Sequence, residues 1–277
     1  MASLMSIGLP PKPAVYLLSA SLPLLVLSES KSSLTGHFLL KTVSSLAFLS
    51  GPLLHVSKTP SPYGVRMAAG FVFSLIGDIL LVPSRKEYYA EPSPSAAAQK
   101  DKEKPEEPKI SASFQLGVVA FAAAHIAYIL AFMQDAQSVS WPKYASTLAV
   151  NMLLSKLLGV IYPSKERGWA NLLNLSIPLD MKPLVSAYAM IIGSMMAVAV
   201  AATSSGPGAE AMQRQRLIGA AMFVASDVFV AKDAFGKKKV EERKAGEGKT
   251  RKHWLFLTVG WGLYFWGQMV LAGTVTH

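Results

Sequence analysis

Cysteine is absent from the 277 residues. That excludes disulfides, thiolate catalysis and cysteine-ligated metals. Charge is scarce too: 16% of residues are Asp, Glu, Lys or Arg, against about 25% in an ordinary soluble domain. Composition therefore argues against a water-exposed globule. Most of the charge that exists is gathered into two short segments. The basic residues lack the interleaved aromatics of a nucleic-acid platform, so no nucleic-acid partner is expected. The net charge of +10 is better explained by lysines and arginines facing an anionic lipid leaflet.

What is present is apolar length. Hydrophobic residues make up 51% of the chain, and they fall into stretches at approximately 14–27, 37–55, 66–82, 114–133, 144–162, 183–202, 214–232 and 254–272. Most approach the ~20 residues that a hydrocarbon core of ~30 Å requires. The expected architecture is an all-α membrane protein, a single polytopic bundle of about eight transmembrane helices. The first stretch is short and contains Pro23, yet only Lys12 charges its upstream flank, so it reads as a retained helix rather than a signal-peptide core. The intervening 84–112 and 236–252 segments have the composition of flexible, solvated loops.

Loop charges give an orientation. One side of an eight-span bundle carries six basic residues (Lys12, Lys58, Arg66, Lys143, Arg214 and Arg216), and the other carries eighteen. The richer side faces the cytosol by the positive-inside rule, which leaves both termini on the opposite side.

Ionisable groups within the spans are the informative residues, because burial in hydrocarbon is costly unless they are paired or solvated. Lys41, Asp78, His125 and Asp227 stand out, with Tyr128, Asn151, Lys156, Tyr188, Ser226, Tyr264 and Gln268 as polar companions. Helix directions put Asp78 and Asp227 one to two turns before the cytosolic ends of their spans. Lys41 and Tyr188 fall about one turn in, and His125 and Tyr264 deeper. These six residues, from six helices, converge on one cavity, while the first span contributes none of them. Gly70 and Gly219 each precede their aspartate by eight residues, and both aspartates follow a tiny residue. The two helices run the same way, which points to two parallel four-helix halves.

Around these positions the chain resembles a known family. Phe73-Ser74-Leu75-Ile76-Gly77-Asp78-Ile79-Leu80-Leu81 is similar to the G-D-x-x-L signature of the YhhN-like lysoplasmalogenases. Phe223-Val224-Ala225-Ser226-Asp227 resembles their F-x-x-S-D segment, and Ala124-His125-Ile126-Ala127-Tyr128 their A-H-x-x-Y segment. Lys41, Tyr188 and the aromatic last span fit the remaining polar positions. The sequence departs from the pattern at Thr42, where a proline is usual, and after Asp227, where Val228-Phe229-Val230-Ala231 stands for a leucine-alanine ending.

The resemblance implies hydrolysis of the vinyl-ether bond of lysoplasmalogens to a fatty aldehyde and a glycerophospho-headgroup. Enol ethers hydrolyse through protonation at carbon, and a carboxylic acid can donate that proton while a second carboxylate steadies the cation and activates water. Asp78 and Asp227 together take these roles, with His125 as a third catalytic candidate. Lys41 would meet the lipid phosphate, and Tyr128, Tyr188, Asn151, Ser226 and Tyr264 would line the substrate site. No cofactor and no metal are expected, since one central histidine and two aspartates fall short of a zinc set. The implied partners are a lysophospholipid substrate, water and the bilayer, and the default organelle is the endoplasmic reticulum. The competing reading of the same intramembrane charges is a proton-coupled transporter or lipid-binding protein without hydrolase activity.

Overall fold

The computed structural model describes residues 7–83, 110–164, 168–206, 208–237 and 254–276. Hydrocarbon offers backbone N–H and C=O groups no water, so segments this apolar satisfy them internally, as helices. Among the described residues these are α1 (Lys12–Ser30), α2 (Leu34–Lys58), α3 (Pro62–Leu80), α4 (Ala112–Asp135), α5 (Trp141–Leu158), α6 (Lys182–Ala201), α7 (Ala209–Phe235) and α8 (Trp254–Thr276). Each coincides with an expected span, and the ends differ by five residues or fewer. The expected 84–112 and 236–252 loops fall outside the described residues, apart from 110–112 and 236–237.

Local sequence explains the boundaries. Ser33, Ser61 and Ser111 cap α2, α3 and α4 by accepting the backbone N–H three residues on, which satisfies one of the orphan donors of each first turn. Pro62 opens α3 with the fixed φ that suits a first helical position. The fifth helix stops at Leu158 rather than near 162 because Gly159 takes a φ of +87°, a conformation that favours glycine.

Six of the helices are long and apolar enough to cross a membrane: α1, α2, α3, α4, α6 and α8. This is a multi-pass membrane protein. The other two, α5 and α7, belong to the same bundle but carry more polar residues, with Asn151, Ser155 and Lys156 on one and Arg214, Arg216, Asp227 and Lys232 on the other. Arg216, expected in a loop, is 2% exposed inside the bundle, because α7 begins seven residues before it.

The packing repeats between halves. The helices α1–α4 pack in sequence order, and so do α5–α8. Across the halves α4 meets α6, and α8 meets α2 in the corresponding way. The repeat breaks at the first helix of each half. The helix α1 lies against both α2 and α8 and buries Leu18 and Leu25, whereas α5 packs on α6 and buries none of its residues. Two short strands, β1 (Ser138–Val139) and β2 (Ala202–Thr203), pair antiparallel and tie the α4–α5 link to the α6–α7 link. Toward the opposite ends of those helices, the α5–α6 connection pairs with the end of α7 through a Leu175–Gly236 bridge.

Close helix contact depends on small residues in both halves. A Cβ on Gly77 would stand 2.7 Å from two ring carbons of Phe121 on α4, and one on Gly219 would stand 2.6 Å from Leu271 on α8. Gly262, by contrast, has nothing within 4 Å of such a Cβ. Gly77→Val is expected to destabilise the protein by about 1–3 kcal/mol through overpacking. Gly262→Ala should leave stability unchanged or slightly raised, and thermal unfolding in detergent compares the two.

Candidate active site

The end of α3 carries Asp78 into contact with two other helices. Lys41 on α2 places Nζ 3.3 Å from Asp78 Oδ1, with Lys41 3% and Asp78 2% exposed. Ser45, one turn further along α2, donates its hydroxyl to Asp78 Oδ2 at 2.7 Å. Tyr264 on α8 donates to the same oxygen at 2.6 Å. A lysine ammonium and two hydroxyl donors are a partner set that suits a carboxylate, which only accepts. The ammonium also lies 5.0 Å from the ring centroid of Trp261 on α8, within cation–π range.

Asp227 on α7 has a different setting. It is half-buried, and Tyr188 on α6 donates to its Oδ2 at 2.7 Å. His125 on α4 brings Nε2 to 3.1 Å from the Tyr188 hydroxyl. Because the tyrosine proton goes to Asp227, its oxygen can accept from His125 Nε2–H. The His125 ring is fully buried, edge-on to Phe223 with centroids 4.5 Å apart.

The helix repeat relates these two groupings. Asp78 and Asp227 occupy the third helix of their halves, and each receives a partner from the second helix of its own half, Lys41 or Tyr188. Each grouping is completed from the fourth helix of the other half, by Tyr264 or by His125 through Tyr188. Phe223 bridges them, since its ring lies against both His125 and Tyr264, the latter with centroids 5.3 Å apart. Beside them, Tyr128 donates to Gln268 Oε1 at 2.9 Å, and Gln268 Nε2 donates to Ser74 Oγ at 3.0 Å.

The structure thus brings Lys41, Asp78 and Tyr264 together, and separately His125, Tyr188 and Asp227, with Tyr128 adjacent. Tyr264, expected at greater depth than Asp78, bonds to it directly. Asn151 and Ser226 stay with their own helices: Asn151 donates to the Thr147 carbonyl at 3.0 Å, and Ser226 to the Phe223 carbonyl at 2.7 Å. Ser45, Ser74 and Trp261 are additional members. Their sequence signal is faint, since Ser45 follows Lys41 by one turn and Ser74 precedes Asp78 by one turn, but serine is commonplace in such spans. Among the described residues, no three His, Asp or Glu side chains are grouped as metal ligands.

A second polar knot closes the bundle near the β1–β2 pair. Arg216 Nη2 lies 2.6 Å from Asp135 Oδ2, Nη1 donates to Ser204 Oγ at 3.1 Å and Nε to Tyr63 OH at 3.3 Å. Its guanidinium carbon stands 4.6 Å from the Tyr63 ring centroid. These contacts join α3, α4, α7 and the β2 end around one cation.

Removing one partner of a buried ion pair strands the other charge. Lys41→Met is expected to destabilise the protein by about 3–5 kcal/mol. Adding Asp78→Asn should recover part of that loss. Thermal unfolding of the two single variants and the double variant measures the coupling.

No curated protein and no solved structure matches the chain. Residues 36–275 match the YhhN family, a region that runs from α2 through α8 and contains both aspartate groupings. With most of its length matched, the chain belongs to the YhhN family.

Proposed function

We propose that the protein is an intramembrane hydrolase of the vinyl-ether bond of lysoplasmalogens, releasing a fatty aldehyde and a glycerophospho-headgroup. The observation that carries this reading is the unlike treatment of two equivalent carboxyl groups. Asp78 is buried against a lysine and two hydroxyl donors, while Asp227 is half-buried and receives a hydrogen bond from Tyr188. Paired carboxyl groups in different environments are the pattern of acid and base sharing one reaction.

Asp227 is assigned as the acid. It protonates the β-carbon of the enol ether, and the resulting oxocarbenium ion is steadied by the Asp78 carboxylate. Water then adds to the cation and loses its proton to a carboxylate. The hemiacetal collapses to aldehyde and alcohol, with one water consumed overall. Tyr188, between Asp227 and His125, is placed to orient the acid and to return a proton to it. The burial of Lys41 between Asp78 and Trp261 suits a lysine that keeps Asp78 ionised better than one that reaches a lipid phosphate.

Access follows from the broken repeat. The Asp78 side is covered by α1, whereas the equivalent α5 packs on α6 and buries none of its residues, and both Tyr188 and Asp227 retain partial exposure. A lipid therefore approaches from the Asp227 side, its hydrocarbon chain among apolar helix faces. The loop charges support an orientation with both termini away from the cytosol, in the endoplasmic reticulum membrane expected of such enzymes.

Purified protein in detergent is expected to release aldehyde from lysoplasmenyl lipids and to leave the matched saturated ethers intact. Asp227→Asn and Asp78→Asn should each abolish release while retaining folded protein. Full activity in both variants would sink the assignment. Folded wild-type protein that releases no aldehyde, yet moves substrate across vesicle membranes under a proton gradient, would favour a carrier instead.

A further inference from the structure

The helix α1 lies ahead of the matched region, yet it reaches the Asp78 grouping through one buried acid. Glu29, on its last turn, is 4% exposed. Trp261 Nε1 donates to Glu29 Oε2 at 2.7 Å, and His37 Nδ1 lies 3.5 Å from the same oxygen. An indole has one N–H, so this bond uses all of the hydrogen-bonding capacity of Trp261. Its ring is also packed beside Tyr264 and Phe265, with centroids 6.4 and 5.9 Å away. Anchored at its edge by Glu29, the ring turns a face toward Lys41 Nζ.

Cation–π attraction depends on that orientation, because the negative potential of an aromatic ring lies over its face and the positive over its edge. A tilted indole would present its edge to the ammonium and repel it. Lys41 would then lose one of the two attractions that fix its place, and its 3.3 Å contact with Asp78 would be less well held. The plain alternative is that Glu29 only pairs with His37 and stabilises the junction of α1 and α2. That alternative requires nothing of Trp261, whereas the shorter and better-formed contact of Glu29 is the one to the indole.

We propose that Glu29 is a positioning residue for the site: it fixes the Trp261 ring, which holds the Lys41 ammonium against Asp78. The N-terminal helix thereby completes the charge arrangement that the matched region begins. The kinetic arm of the test rests on the hydrolase reading above, and the spectroscopic arm does not.

The full-length protein is labelled with ¹⁵N at the indoles in detergent micelles, and the Trp261 signal is assigned by its loss in Trp261→Phe. Glu29→Ala and Lys41→Met are each expected to move that signal, and Glu29→Gln, whose amide oxygen still accepts, to move it less than Glu29→Ala. In aldehyde release, Glu29→Ala should lower kcat about tenfold with KM changed less than about twofold, and Glu29→Gln should restore kcat to within about threefold of wild type. In a Trp261→Phe background, Glu29→Ala should cause no further loss. A Trp261 signal indifferent to Glu29→Ala overturns the proposal. So does a kcat loss that persists undiminished in the Trp261→Phe background, since Glu29 would then act by another route. Shifts of the signal without any aldehyde release by wild-type protein would leave the positioning role standing and remove the hydrolase reading.

Discussion

A lysine and an aspartate set side by side inside an apolar bundle impose conditions on everything around them. Neither water nor lipid solvates Lys41 and Asp78 at 3% and 2% exposure, and each ion taken from water costs several kcal/mol before partners compensate. The compensation comes from three helices. The α2 helix supplies both Lys41 and Ser45, α3 supplies Asp78, and α8 supplies Tyr264 and Trp261. Satisfying the pair therefore fixes the relative rotation of α2, α3 and α8, and it explains why the last helix of the chain must lie beside the second. The polar triangle of Ser74, Tyr128 and Gln268 extends the same demand to α4.

The second half of the chain solves an analogous problem without a lysine. Tyr188 occupies the position equivalent to Lys41, and a tyrosine brings a hydrogen bond but no charge. The two carboxyl groups consequently have different partners within one repeated scaffold, which is the physical basis of the different roles proposed for them. The first helices of the halves deepen the difference. The α1 helix closes over the lysine side and adds Glu29 to it, while α5, with no buried residue, leaves the tyrosine side open.

Stability is held at the ends of the bundle as much as in its middle. The Arg216–Asp135 pair, with Ser204 and Tyr63, locks one end beside the β1–β2 pair. At another, Asn171 is fully buried and braces the α5–α6 connection by bonding to both the N–H and the C=O of Leu175. Such knots brace the ends of the bundle while the charged groups around Asp78 and Asp227 occupy its interior.

Apolar length and the cost of naked charge in hydrocarbon made eight helices, their approximate limits and the setting of Lys41, Asp78, His125 and Asp227 within them readable from composition and spacing alone. Matching glycines ahead of the two aspartates carried the internal repeat, because close helix contact admits only small residues there. Pairing was not readable in this way. Ser45 and Trp261 are ordinary residues until three helices meet around Asp78, Glu29 lies just past the apolar stretch 14–27 although α1 extends over it, and Arg216 counts among the loop charges although α7 begins before it. Asn151 looked equivalent to the site residues by polarity, yet on α5, which packs on α6, its side chain bonds to its own turn. Partner choice, burial and access are properties of distances between helices far apart in the chain, and those distances are set only when the bundle packs.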